Sequence, residues 1–241
     1  MENMIRIESV SKTYSKKTVI NNVDLAIPKG EIYGLIGPSG AGKTTLVKMM
    51  VGMEIADSGN VFVEDNRMPD LRILTEIGYM AQADSLYGEL TGEENLCFFA
   101  SLYGMDKSAR RERIQYAMEL VHLQDENKKR VNCYSGGMKR RLSLATALIS
   151  DPKLLILDEP TVGIDPELRA EIWEELFRLK KEEGKTIVIT THVMDEAEKC
   201  DHLAMVREGI ILTDGTPSEL MRRYNVTRLE SVFLLAGGRV I

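Results

Sequence analysis

Cysteine is scarce in this chain, with three residues, Cys97, Cys133 and Cys200, among 241. The number is odd and no two of them stand at metal-ligand spacing, which argues against a disulfide framework or a zinc site and for a reducing compartment. Long apolar runs are missing as well: none approaches the ~18 to 20 residues that a helix needs to cross a bilayer. No apolar signal-type region precedes the alternating pattern Ile5, Ile7, Val10, so any work at a membrane is expected of a partner chain. An excess of positive charge is absent too. The formal net charge of -6 argues against whole-protein binding to nucleic acid or to an anionic bilayer, although Lys139, Arg140 and Arg141 form a local basic cluster. There is no internal repeat and no low-complexity linker. What remains, 44% hydrophobic and 28% charged residues, suits a globular chain with one large core or two small ones.

Short β-type runs come first, at 4–10, 23–27, 32–36, 60–64 and 77–81, several of them punctuated by Gly or Pro. The stretch 86–133 reads differently. Thr91 and Glu94 make a capping-box pattern ahead of an apolar helix running towards Tyr103. A second helix is expected over 107–122, with Ile114, Met118 and Val121 on one face. Helix and strand then alternate: helix 136–149, strand 154–157, and a helix opened by Asp165-Pro166 with Leu168, Ile172, Leu176 and Leu179 on its apolar side. Strand 186–190 follows, then a short acidic helix near 195–199 and a capping box at Thr216-Pro217-Ser218-Glu219. Such alternation predicts an α/β fold with a mostly parallel sheet covered by helices, interrupted by a small helical insert.

Gly37-Pro38-Ser39-Gly40-Ala41-Gly42-Lys43-Thr44 follows an apolar strand and precedes a helical stretch, the setting that a phosphate-binding loop requires. Its glycines let successive backbone N–H groups point inward as an anion nest, and the helix N-terminus adds partial positive charge. Lys43 is expected to reach the β- and γ-phosphates and the Thr44 hydroxyl to ligate Mg²⁺; Thr45 extends the binding set. The loop alone says nucleoside triphosphate and no more. Downstream, the apolar run 154–157 ends in Asp158-Glu159-Pro160, and in parallel sheets ligand groups sit beyond the carboxyl ends of strands. Asp158 is expected to hold Mg²⁺ through water, and Glu159 to act as the general base that orients the attacking water.

Tyr134-Ser135-Gly136-Gly137-Met138-Lys139-Arg140-Arg141 resembles the signature motif of ABC ATPases, and the family's other elements follow in order. Gln82 matches the Q-loop glutamine, Val162-Gly163-Ile164-Asp165 the D-loop, and His192 after Thr190-Thr191 the switch histidine. Tyr14 stands where the family carries an aromatic that stacks on adenine. The resemblance covers nearly the whole chain. It implies a P-loop NTPase core with an N-terminal antiparallel β subdomain and an inserted α-helical subdomain: 1–85 and 134–215 as core, 86–133 as insert, 216–241 as a helical tail. It also implies that Ser135, Gly136 and Gly137 face a γ-phosphate, that His192 donates to that phosphate, and that Gln82 serves both catalysis and Mg²⁺. Two departures stand out. Tyr134 and Met138 replace the common Leu and Gln of the signature, and Val162 replaces a small D-loop residue.

With one phosphate loop and one signature per chain, the resemblance implies a two-fold, head-to-tail dimer, most simply a homodimer, with ATP and Mg²⁺ at two shared sites. The helical insert, hinged at Gln82, would pass closure to an integral membrane permease on the cytoplasmic face; nucleic acid is not an expected partner. The signature, the stretch 90–96 and the tail 229–234 look like the ABC-2 export group. The tail reads either as an ordinary amphipathic terminal helix or as an extension of the dimer contact. A soluble ABC ATPase serving as an assembly factor or acting on ribosomes is the second reading.

Overall fold

A computed structural model describes residues 2–83 and 85–238. In chain order the strands and helices begin with β1 (Asn3–Tyr14), β2 (Lys17–Pro28), β3 (Ile32–Ile36), α1 (Lys43–Met50), β4 (Ser58–Val63), β5 (Asn66–Arg67) and β6 (Ile77–Met80). Then come α2 (Gly92–Leu102), α3 (Lys107–Leu120), α4 (Gly136–Leu148), β7 (Leu154–Asp158) and α5 (Pro166–Glu183). The chain closes with β8 (Thr186–Thr191), α6 (Met194–Ala197), β9 (His202–Arg207), β10 (Ile210–Gly215), α7 (Pro217–Arg223) and α8 (Leu229–Ala236). These elements form two compact units, one running up to Ile73 and resuming at Thr186, the other Leu74–Lys185.

The first unit carries two sheets. In one, β1 pairs antiparallel with β2 and β4, in the order β2-β1-β4-β5. The hairpin from β1 to β2 turns on Ser15 and Lys16, both at positive φ (45° and 71°), the backbone hand that matches strand twist in a two-residue turn. The other sheet runs β10-β9-β3-β8, with β3 parallel to both β8 and β9. Every residue of β3 and β8 is buried, as expected of parallel strands covered on both faces. At one end of this sheet Ile36, Leu203, Met205 and Leu220 form a core with Leu229 and Val232 of α8. Within the tail, Leu229 and Val232 are spent on this unit's own core, while Leu234 is left exposed.

In the second unit β6 and β7 pair in parallel, Ile77 opposite Leu154 through Met80 opposite Leu157. Helix α4 lies so close to β6 that a Cβ on Gly78 would stand 2.1 Å from the Ala147 carbonyl. The capping signals act as expected. Thr91 Oγ1 accepts from Glu94 N at 3.2 Å while Thr91 N donates to the Glu94 carboxylate at 2.7 Å. Asp165 accepts from Leu168 N at 3.0 Å and opens α5, which Gly184 ends in the left-handed region. Leu168, Ile172, Leu176 and Leu179 are all buried along α5.

The strands β9 and β10 were not anticipated from the sequence, and β1 and β2 are longer than the runs 4–10 and 23–27. Glu208 and Gly209, at φ 50° and 79°, make the β9–β10 turn. Glu-Gly is a weaker turn signal than Asn-Gly or Asp-Gly because glutamate gains little in the left-handed region.

Candidate functional site

The phosphate loop belongs to the first unit and is built from backbone. Gly37 leaves β3 under the carbonyl of Val206 in β9, so near that a Cβ would stand 2.1 Å from the oxygen. Gly40 and Gly42 take φ 78° and 110°, conformations that cost a side chain dearly. At Gly42 a Cβ would also meet Ile20 Cδ1 of β2 at 2.6 Å. Gly42 is the N-cap of α1, makes no side-chain cap, and is followed by no acidic residue in the first turn. The start of α1 therefore has no acidic side chain opposing its dipole, an arrangement that suits an anion. Lys43 is buried, and its Nζ donates to the Gly37 and Pro38 carbonyls at 2.7 and 3.1 Å, a curl that lays the ammonium over the loop. Pro38, Ser39 and Gly40 are exposed, Ala41 is buried, and Thr44 and Thr45 are half-buried in the first turn of α1.

Two further candidate residues lie in this unit. His192 follows β8 directly and is exposed. The turn that carries it is pinned: Thr191 Oγ1 donates to the buried Glu196 carboxylate at 2.6 Å and accepts from Val193 N at 3.0 Å. Tyr14 ends β1 opposite Lys17, at the tip of the hairpin, with the Lys12 ammonium 5.3 Å from its ring centroid. Partial desolvation raises its phenol pKa, and a hydrogen bond to Glu54 adds to the shift. Tyr14 is 39% exposed.

The second unit holds the carboxylates and the signature. Asp158 is the last residue of β7 and 1% exposed. Glu159 follows it with φ 54°, turning the chain so that its side chain comes to Gln82: Gln82 Nε2 donates to Glu159 Oε2 at 3.4 Å. Signature residue Ser135 caps α4, its Oγ accepting from Met138 N at 3.2 Å. Ser135 and Gly136 are exposed, and no heavy atom outside the local helix lies within 4 Å of a Cβ built on Gly136. Gly137 is tighter, since its Cβ would meet the carbonyl of D-loop Gly163 at 3.2 Å. The D-loop turns at Gly163, φ 77°, and leaves Val162 48% exposed.

Two residues carry more than the sequence revealed. Tyr134 is buried, and its Oη donates to the Glu126 carbonyl at 2.8 Å. A Cβ on Gly92 would stand 2.4 Å from that hydroxyl, so the unusual tyrosine of the signature and the glycine opening α2 form a matched pair. Arg140 is not a solvated member of a basic cluster but a buried side chain bonded to main-chain carbonyls of Ala81, Gln82, Asp158 and Glu159. Its helical period was the available signal: Leu144 and Ala147, four and seven residues on, are buried on the same face.

Comparison with known proteins agrees with this geometry. Residues 20–162 match the family described as ABC transporter. The Nod factor export ATP-binding protein I of Rhizobium sp. (strain N33) is 40% identical over 95% of this chain and 76% of its own length. A linearmycin resistance ATP-binding protein of Bacillus subtilis (strain 168) is 38% identical over 91% and 71%. Among solved structures, an ATP-binding subunit of an ABC transporter superposes with TM-score 0.90 at 26% identity, over 97% of this chain and 99% of that one. An ATP-binding cassette in a dimeric post-hydrolysis state with ADP and Pi superposes with TM-score 0.84 at 27% identity, over 88% and 98%. The chain belongs to the ABC transporter family, as one of its ATP-binding, ATP-hydrolysing subunits. Its α/β fold is that of the family's P-loop ATPases, with a mostly parallel sheet, a separate antiparallel sheet and a helical part.

Proposed function

We propose that two copies of this chain close on two ATP molecules, and that closure and reopening drive a separate membrane permease in the direction of export. The observation that carries the reading is that one chain presents two helix starts prepared for phosphate: α1 behind Gly42 and α4 behind Ser135, both lacking an acidic first turn. In a head-to-tail pair the loop of one chain and the signature of the other each take one side of the same triphosphate. The dimeric cassette with ADP and Pi supports that arrangement.

Within this reading the loop 37–45 cradles the phosphates, Lys43 neutralises the β- and γ-oxygens, and Tyr14 stacks on the adenine. Glu159 takes a proton from the attacking water, Gln82 orients that water, and His192 holds the γ-phosphate. Ser135, Gly136 and Gly137 complete the partner's site. Thr44 hydroxyl, Gln82 amide oxygen and Asp158 carboxylate are hard oxygen donors, a set that suits Mg²⁺. Bound Mg²⁺ would neutralise charge on the phosphate oxygens.

The insert 86–133 is the part proposed to meet the permease. Tyr87, Phe98 and Leu102 are 49%, 37% and 65% exposed there, and the Tyr87 and Phe98 rings sit edge to face at 4.8 Å. Exposed aromatic clusters of this kind mark protein contacts. No helix among the described residues is long and apolar enough to cross a membrane, so the spans are assigned to the partner and this chain to the cytoplasmic membrane face. The relatives named for export and resistance favour outward transport; nothing in them favours an assembly or ribosomal role. The test is to tag the chain, solubilise membranes in mild detergent and identify what copurifies. The expected result is a stoichiometric protein with several apolar spans. Recovery only from the soluble fraction, with ribosomes or assembly proteins, would overturn the transport assignment.

A further inference from the structure

Arg140 lies in the second turn of α4 and is 7% exposed. Its Nη1 donates to the carbonyls of Ala81 and Gln82 at 2.8 and 2.9 Å. Its Nη2 donates to the carbonyl of Glu159 at 2.6 Å and to that of Asp158. One planar fork therefore holds two separate segments, the chain just after β6 and the chain just after β7, by the main chain of the residues whose side chains meet at 3.4 Å. Glu159 needs such a hold. Its φ of 54° is unfavourable for any residue with a Cβ and persists only where the surroundings fix it. A guanidinium suits the task because its donors are rigidly coplanar and always charged, whereas a lysine offers a single nitrogen that cannot span both segments in the same way.

We propose that Arg140 is a positioning residue for ATP hydrolysis: it fixes the main chain at Gln82 and Glu159 and so sets where the Gln82 amide and the Glu159 carboxylate stand against the attacking water. The proposal rests on the reading of Glu159 as the general base. It also gives the basic cluster of the signature a divided role. Arg141 donates to the Val121 and His122 carbonyls at 3.2 and 3.3 Å, while Arg140 ties the helix that starts with Ser135, Gly136 and Gly137 to the segments that carry Gln82 and Glu159.

The test uses Arg140→Lys and Arg140→Ala, each alone and combined with Glu159→Gln, with single-turnover hydrolysis, ATP affinity and thermal midpoint measured on every variant. Arg140→Lys keeps charge and length, so it reports even if Arg140→Ala unfolds. The expected result for Arg140→Lys is an ATP Kd within about twofold of wild type and a turnover rate lower by roughly 10- to 100-fold, as misplacement of a reacting group produces. Added to Glu159→Gln, the lysine should change the residual rate by less than about twofold, because groups that act as one unit are not additive. Near-normal turnover in Arg140→Lys would overturn the proposal. So would a multiplicative loss in the double variant, or a loss of ATP binding that tracks the thermal midpoint, either of which marks Arg140 as a structural anchor only. Near-normal turnover in Glu159→Gln alone would instead remove the general-base reading itself, and with it the basis for a positioning role.

Discussion

The phosphate loop and the carboxylate–signature region are built by opposite means. The loop is made of backbone: its shape comes from Gly37 pressed against a β9 carbonyl and from glycines at positive φ, with Lys43 folded over it. The second region is made of side chains. Gln82 meets Glu159, Ser135 caps α4, Tyr134 fills the space left by Gly92, and Arg140 bonds the main chain of four residues. A site made of backbone tolerates few substitutions at its glycines but asks little of its neighbours. A site made of side chains depends on partners far away in sequence and can be detuned without being destroyed.

That contrast can be broken experimentally, and the largest effect is expected in the side-chain region. On the proposed reading of Glu159 as general base, Glu159→Gln should retain ATP binding while turnover falls by roughly 10² or more; nucleotide affinity and single-turnover rates separate the two. Near-normal turnover would remove Glu159 from the chemistry. Gly37→Ala should act in the opposite sense, on binding. Its Cβ meets Val206 backbone rather than a side-chain end, so the loop must shift, and ATP Kd should rise on the order of tenfold or more. An unchanged Kd would show that the loop is softer than its contacts imply.

Gly92→Ala acts on stability within the side-chain region. The new methyl stands 2.4 Å from Tyr134 Oη, and crowding of this kind costs about 1–3 kcal/mol. Tyr134→Phe in the same chain should recover part of that loss, the remainder reflecting the Glu126 carbonyl left without its donor; additive losses in the double variant would refute the pairing. The smallest effect concerns Asp165. Its carboxylate pKa is lowered by the hydrogen bond from Leu168 N. A lowered folded-state pKa gives stability that is present above the ordinary carboxylate value of about 3.9 and is lost as pH falls through the folded value. The difference in thermal midpoint between wild type and Asp165→Ala should therefore shrink on acidification below about pH 4. A difference that stays constant would assign the effect to something other than the charged cap.

The same contrast explains what could be read in advance. Gly37 to Thr44 declared itself because backbone nests demand glycine at fixed spacing. The caps at Thr91, Asp165 and Thr216 were legible because they are local in sequence. The partners of Arg140 were not legible, because these carbonyls lie 58 and 59 residues before it and 18 and 19 after it; only the helical period hinted at its burial. Tyr134 showed only as a departure from the usual signature, because its counterpart Gly92 lies on another helix. The strands β9 and β10 were missed because their Glu-Gly turn sends a weak local signal, although the buried run Leu203 to Val206 was there to find.

In the proposed pair each ATP site takes its phosphate loop from one chain and its signature from the other, and mixing two inactive variants, Lys43→Ala and Ser135→Arg, puts that sharing to the test. If sites are shared, half of a randomly mixed population is heterodimeric and each heterodimer keeps one of its two sites whole, so the mixture should recover roughly a quarter of wild-type turnover. A mixture that hydrolyses ATP no faster than the sum of its inactive parts, with dimers demonstrably exchanging chains, would contradict the shared site.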